Sequence, residues 1–488
     1  MSWRPVLRFL GRLLLVLALA LLAPAACALL YGEAGAAAAF LASAAATAVA
    51  GGAMALAGRG GREVYRREGI LIVVGGWVLA SVFGALPYLL TGTLASPVDA
   101  LFESASGFTT TGATAMTAIE AAGRGVLFWR SFSQWLGGMG IIVLFVALLP
   151  ELGPGARFLY KLEVPGPTAQ ALLPHIRDTA TLLWRLYLAF TAAQTALLML
   201  AGLDLYDALT HTFSTLSTGG FSPRAASVAA FASPAVELVV IVFMVLAGAN
   251  FSLYFGLRHR RGWRTVAGDP ELRAYLTILG GATLAVAAAL VASDLYAGTD
   301  AGIARALLDA LFQVASILTT TGFATTNFET WPSFARMTLL ALMFVGGCAG
   351  STAGSMKVMR MVIGLKAAWR EVRLIFSPSS VISVLVGQKP VPEGVVRSVA
   401  GFFILYLSSW GLGTVALTLT SGQELVTAAT AAAATLGNIG PGLEAVGPIK
   451  DYAFFDPVSK LVMVVLMWLG RLEVYSIAAL VTVRFWRP

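Results

Sequence analysis

Charge is scarce in this sequence. Asp, Glu, Lys and Arg make up 12% of its 488 residues, against about 25% in a soluble domain. Apolar residues reach 58%. Together these fractions exclude a soluble enzyme and a disordered chain. Cysteine is nearly absent: Cys27 and Cys348 stand far apart in apolar segments, so no disulfide framework is implied. The three histidines, His175, His211 and His259, are scattered and lack metal-ligand spacing. No nucleophile constellation is visible, so the chain is expected not to be an enzyme and to hold no cofactor of its own.

What is there is hydrophobic length. Mean hydropathy is +0.81. Runs long enough to cross a core of about 30 Å lie at about 8–30, 36–57, 69–92, 127–150, 179–202, 234–257, 272–293, 334–362, 394–420 and 457–485. An all-α polytopic membrane protein with ten spans is expected, because helices satisfy their own backbone inside lipid. Weaker helical segments lie between some spans, at about 98–108, 206–215, 305–318 and 424–436. Each has roughly 10–14 residues, the length of a re-entrant helix.

The first run resembles a signal peptide: Arg4, Arg8 and Arg12, an apolar stretch, then Ala23-Pro24-Ala25-Ala26-Cys27-Ala28. We read it as an uncleaved span, because Arg59, Arg62, Arg66 and Arg67 after the second run complete an inside, outside, inside hairpin. On this threading 24 of the 33 Lys and Arg fall in cytoplasmic loops and 7 outside, with Arg185 and Arg471 inside spans. That bias places both termini in the cytoplasm. Fifteen of the 25 acids fall on the outer side, which makes that face net negative and concentrates cations there.

The four short segments share one position, outside, between a span going out and a span coming back. Asp99-Ala100-Leu101-Phe102 precedes Thr109-Thr110-Thr111-Gly112-Ala113, and Asp309-Ala310-Leu311-Phe312 precedes Thr319-Thr320-Thr321-Gly322-Phe323. The second copy reads Asp207-Ala208-Leu209, then Leu216-Ser217-Thr218-Gly219-Gly220-Phe221. The fourth diverges: Thr427 to Ala434, then Thr435-Leu436-Gly437-Asn438-Ile439-Gly440-Pro441-Gly442. Span, short helix, Gly loop, span thus recurs four times. One such loop would be an ordinary turn; four in register point to a pore. Irregular backbone at membrane depth is tolerated only where it is buried in protein or lines water. Gly accepts φ > 0 and can turn carbonyls toward an axis. Four such segments make rings of backbone oxygens that suit a monovalent cation. The four loops hold no carboxylate, which argues against a divalent-cation filter.

Phe108-Thr109-Thr110-Thr111-Gly112-Ala113, the stretch His211 to Phe221, and Asn438-Ile439-Gly440-Pro441-Gly442 resemble the filters of the Trk/Ktr/HKT superfamily of potassium transporters. The resemblance runs through the four repeats. With two extra N-terminal spans, the chain is similar to the TrkH branch rather than the KtrB branch, which lacks them. The resemblance implies a K⁺ filter of Thr110, Thr111 and Gly112; Ser217, Thr218 and Gly219; Thr320, Thr321 and Gly322; and Asn438, Ile439 and Gly440. In plant relatives a Ser replaces the first filter Gly in sodium-selective members. Here all four Gly are present, which favours K⁺; a Na⁺-selective or Na⁺-coupled transporter is the alternative. The resemblance further implies a bacterial inner membrane, a homodimer, and a cytoplasmic ring of TrkA-like regulatory subunits that bind NAD or ATP. No nucleotide site is visible in this chain. The loop at about 358–393 and the basic loop 258–264 are candidate docking surfaces, unless they serve only as positive-inside anchors.

Two features are candidates for gating. Gly346-Gly347-Cys348-Ala349-Gly350-Ser351-Thr352-Ala353-Gly354-Ser355 interrupts the span at about 334–362, and each Gly weakens a helix by about 1 kcal/mol. Close helix packing through small residues is the plainer reading. The resemblance makes Gly346, Gly347, Gly350, Ser351, Thr352 and Gly354 a mobile barrier beneath the filter. Arg471, near the centre of the last span, would cost at least about 2.5–3.5 kcal/mol in lipid, so it must face protein or water. A pair with Glu473 is disfavoured, because residues two apart lie on different helix faces; the functional reading sets Arg471 under the filter, opposing cation passage. Arg185 is expected to snorkel. Gln134 and Asn250 are expected to make helix–helix hydrogen bonds. The expected organisation is two N-terminal spans (1–64) and four pore repeats around a pseudo-fourfold axis: 65–165, 166–266, 267–375 with the gate loop, and 376–488.

Overall fold

The computed structural model describes residues 2–60, 64–140, 176–256, 262–296 and 302–486. Four times the chain runs through the same series. A long helix comes first: Arg66–Leu90, Ile176–Leu200, Pro270–Val291 and Glu393–Ser421. A shorter one follows: Pro97–Phe108, Leu205–Leu216, Gly302–Leu318 and Leu425–Leu436. After a loop comes the return helix: Arg124–Gly138, Pro234–Gly248, Ser333–Met343 and Pro457–Arg471. Local chemistry starts many of these. Ser96, Asp204, Ser233, Asp269 and Asp456 accept backbone N–H bonds at helix N-termini, and all but Asp204 are followed by a Pro whose fixed φ suits the first turn.

The N-terminal pair, Trp3–Leu30 and Ala34–Ala57, packs backbone to backbone, since a Cβ on Gly11 would strike the Gly51 carbonyl. Leu10, Leu13 and Leu17 join one core with Ile72, Val73 and Trp77 of the first long helix. Glu33 then accepts from the N–H groups of Arg124 (2.6 Å) and Gly125 (3.0 Å). The hairpin therefore caps the first return helix, a charge-assisted contact at the positive end of its dipole.

Among the described residues six helices are long and apolar enough to cross a membrane: the N-terminal pair and the four long helices. The ten-span expectation needs one correction: the second and fourth return spans, like the third, where a break is expected, are not continuous. The second ends at Gly248 and resumes at Phe251; the third is interrupted from Phe344 to Lys357; the fourth bends by 116° between Pro457–Arg471 and Val474–Val481. The first ends at Gly138, and its expected remainder, 141–150, lies outside the described residues, as do 258–261 of the basic loop. Hydropathy windows average across such breaks. What permits a break is a donor or water at that depth for the freed carbonyls, and those donors come from elsewhere in the chain.

Candidate functional site

Each shorter helix ends in a loop with two left-handed residues two apart. They are Thr110 and Gly112, Thr218 and Gly220, Thr320 and Gly322, and Asn438 and Gly440, with φ of 53–57° at the first and 75–99° at the Gly. The backbone bonds agree. The N–H groups of Thr111, Gly219, Thr321 and Ile439 reach the carbonyls of Ser106, Ser214, Ser316 and Ala434 at 2.8–2.9 Å. This fixes the register. Gly220, not Gly219, is the counterpart of Gly112, and the expected triplet 217–219 shifts by one residue. The sequence held the signal: Gly112, Gly220, Gly322 and Gly440 each lie thirteen residues after Asp99, Asp207, Asp309 and Thr427. Two adjacent glycines hid it.

The loops close on one another in chain order. A Cβ added to Gly112 would fall on the Gly219 carbonyl; on Gly220, on that of Thr321; on Gly322, on that of Ile439; on Gly440, on that of Thr111. One loop touches the second, the second the third, the third the fourth, and the fourth the first, which is a ring. Left-handed φ and a carbonyl in the way exclude a side chain at these four positions. All four glycines line an open vestibule of about 710 Å³. The helix C-termini lead into the ring, and a helix C-terminus carries about half a negative charge.

Side chains brace the ring from outside. Gln134 donates to the Gly219 carbonyl (2.7 Å) and accepts from Phe221 N–H (3.1 Å). It thus holds a loop, not a neighbouring helix as expected. Asn438 donates to Thr111 Oγ1 and to the Met467 carbonyl, both at 3.0 Å, and the Tyr452 hydroxyl donates to the Gly440 carbonyl at 2.7 Å. One helix position repeats its task. Glu103 accepts from Thr114, His211 meets Ser222, and Gln313 meets Thr325, each fixing the segment beyond its glycine. Arg130, counted in the sequence as an outer charge, is buried. It pairs with Glu103 at 2.8 Å, donates to the Ser222 carbonyl and lies over the Phe221 ring. At the rim Arg224 pairs with Asp207 at 2.6 Å. That hydrogen bond raises Arg224 above its ordinary pKa, and the pair leaves little net positive charge at the mouth.

Beneath the ring lies the segment 344–357. Gly354 N–H donates to Thr320 Oγ1 (2.7 Å), Thr352 Oγ1 donates to the Leu216 carbonyl (3.0 Å), and a Cβ on Gly354 would meet Gly437 and Asn438. Arg471 completes the floor. Its guanidinium donates to Thr110 Oγ1 (3.1 Å) and to the carbonyls of Thr352 (2.9 Å), Gly137 (2.6 Å) and Gly138 (2.8 Å). Segment and arginine together touch all four loops. Gly350, Ser351, Thr352, Gly354 and Arg471 line a second cavity, and none of the described residues lines both. Gly346 and Gly347 lie at the near end of the segment, where a Cβ would meet the carbonyls of Gly354 and Gly248. Backbone here is strained, with φ of 59° at Ser355 and 75° at Lys357.

Glu473 does not pair with Arg471; it takes Arg360 at 2.6 Å. Asn250 caps a local turn, accepting from Ser252 N–H and Oγ, instead of bridging helices. Arg185 is exposed on the helix Ile176–Leu200. No group of three His, Cys, Asp or Glu able to hold a metal occurs among the described residues.

Comparison with known proteins gives consistent matches along the whole chain. The family model TrkH, described as a cation transport protein, matches residues 36–485. The Trk system potassium uptake protein TrkH of Halomonas elongata is 40% identical over 100% of both chains, and that of Escherichia coli K12 is 36% identical, again over 100% of both. The crystal structure of the potassium transporter TrkH from Vibrio parahaemolyticus superimposes with a TM-score of 0.88, at 37% identity and 100% coverage of each chain.

Proposed function

The chain belongs to the TrkH family of cation transport proteins, and from that premise we propose that it takes up potassium across a bacterial inner membrane. The observation that carries this reading is the closed ring of four left-handed loops between two cavities. In this reading the chain is four pore repeats in pseudo-fourfold arrangement behind two N-terminal spans, with both termini in the cytoplasm. K⁺ enters the glycine-lined vestibule, drawn by the acidic outer face and by four helix C-termini. Carbonyl and hydroxyl oxygens of Thr110–Gly112, Thr218–Gly220, Thr320–Gly322 and Asn438–Gly440 replace its hydration shell. Braces such as Gln134 and Asn438 keep the ring from collapsing onto a smaller ion.

Below the ring, segment 344–357 and Arg471 form the gate. Thr352 closes the path sterically, and Arg471 sets a positive charge against the ion. Opening requires the segment to leave Thr320 and Leu216. TrkA-like subunits that bind NAD or ATP would drive this from the cytoplasm, on a homodimer of this chain. The test is ion flux in proteoliposomes under separate K⁺, Na⁺ and proton gradients. K⁺ flux exceeding Na⁺ flux at equal driving force is expected. Equal fluxes, or flux only when Na⁺ is present, would replace this reading with Na⁺ selectivity or Na⁺ coupling.

A further inference from the structure

We infer that Glu271 is a positioning residue that latches the intramembrane segment in its closed form. It sits in the first turn of Pro270–Val291, outside the filter and the ion path. One carboxylate oxygen, Oε1, accepts from two backbone N–H groups, Ala349 at 2.7 Å and Met359 at 3.1 Å. These two residues bracket 350–358, the later part of segment 344–357 and the first residue of the helix Val358–Phe376. A single buried carboxylate therefore joins the two ends of that stretch and ties them to a helix that is itself intact. This inference rests on reading the segment as the gate.

An acid in the first turn of a helix ordinarily serves that helix's own dipole. Here that task is taken: Asp269 accepts from Leu272 N–H at 2.8 Å. Glu271 is turned away from its own N-terminus and is 4% exposed. A buried carboxylate is retained only where donors meet it, and Glu271 is met by Ala349 within the gate segment and by Met359 in the first turn of the helix that follows it. The far ends of the segment are strained, with left-handed Ser355 and Lys357, so a closed loop needs an external hold. Charge-assisted bonds to backbone N–H are stronger than neutral ones. Once they are lost, the segment should relax away from Thr320 and Leu216.

The chain carries its own reporter. Cys348, next to Ala349, is fully buried, and Cys27 is the only other cysteine in the sequence. In a Cys27→Ala background, full-length protein in proteoliposomes is compared with Glu271→Ala, Glu271→Asp and Glu271→Gln. Both K⁺ flux and the rate of Cys348 labelling by a water-soluble maleimide are measured. Glu271→Ala, which removes both bonds, and Glu271→Asp, which draws the carboxylate back, should raise both readouts by at least about tenfold, the factor that one lost charge-assisted bond is worth. Glu271→Gln keeps an acceptor oxygen but loses the charge, so it should fall between the parent and Glu271→Ala. If Glu271→Ala is not monodisperse, Glu271→Asp carries the test alone. Parental flux and a protected Cys348 in a folded Ala or Asp variant would overturn the latch. Deleting Gly350 to Gly354 separates the two readings. A deletion that raises flux while the Glu271 variants do not would overturn the latch and keep the gate; a deletion that leaves flux unchanged would overturn both.

Discussion

Replacing Arg471 by Ala tests the proposed gate. The guanidinium lies against Thr110 Oγ1 at 3.1 Å, so an ion at the base of the filter would sit within one side-chain diameter of a positive charge. Two unit charges about 5 Å apart repel by roughly 3 kcal/mol at an effective dielectric of about 20. That is about two powers of ten in rate if the charge stands at the barrier. Water in the cavity screens part of it, so an increase of at least about tenfold in K⁺ flux is the expected outcome. Selectivity should persist, because the Thr110 loop keeps its own backbone bonds to Ser106 and Gly107. The assay is K⁺ and Na⁺ flux in proteoliposomes, normalised to reconstituted protein. The substitution also frees the carbonyls of Gly137, Gly138 and Thr352. Thermal stability should therefore fall modestly. Arg471→Lys separates charge from bonding: it keeps the charge but cannot span the four acceptors with one planar fork. A slow Lys variant beside a fast Ala variant supports electrostatic gating. A Lys variant as fast as Ala would refute it, because the hydrogen bonds would then hold the gate and the charge would be incidental. Glu473 gives an internal control, since it pairs with Arg360 and its neutralisation should not reproduce the Arg471 effect.

Gly112→Ser and Gly220→Ser should each lower K⁺ over Na⁺ discrimination, because either adds a Cβ against a neighbouring carbonyl; unchanged permeability ratios in both would remove the ring from the filter. Deleting Gly350 to Gly354 should raise K⁺ flux with selectivity intact, and flux at or below the parent in a well-folded deletion would favour simple packing. Glu103→Ala should destabilise the protein by about 3–5 kcal/mol, as expected when one partner of a buried pair is removed; a midpoint within 2 °C of the parent in a thermal-shift measurement would show that Arg130 finds other partners.

Much of this fold is legible in the sequence because its signals are local. Ser-Pro and Asp-Pro pairs mark helix starts, and the hydropathy of each long helix stands on its own residues. The Asp-to-Gly spacing of thirteen even encodes the register at Gly220. Apart from the Gly-rich third, the ends of the return helices are another matter. Nothing near Gly138 announces that its carbonyl will be met by an arginine 333 residues later. The fourth helix ends where Arg471 must turn toward the first and third units, so the break and its remedy belong to different parts of the chain. Arg130 misleads for the same reason: its charge is counted to the outer side, and only the fold brings Glu103 to it. Glu271 looks like a dipole-complementing acid until Asp269 is seen to fill that role. For Arg471 and Glu271 the hidden partner is a backbone carbonyl or N–H, which is present at nearly every position and so has no sequence signature. A ring built from backbone groups therefore conceals its bracing contacts while displaying the glycines that make room for them.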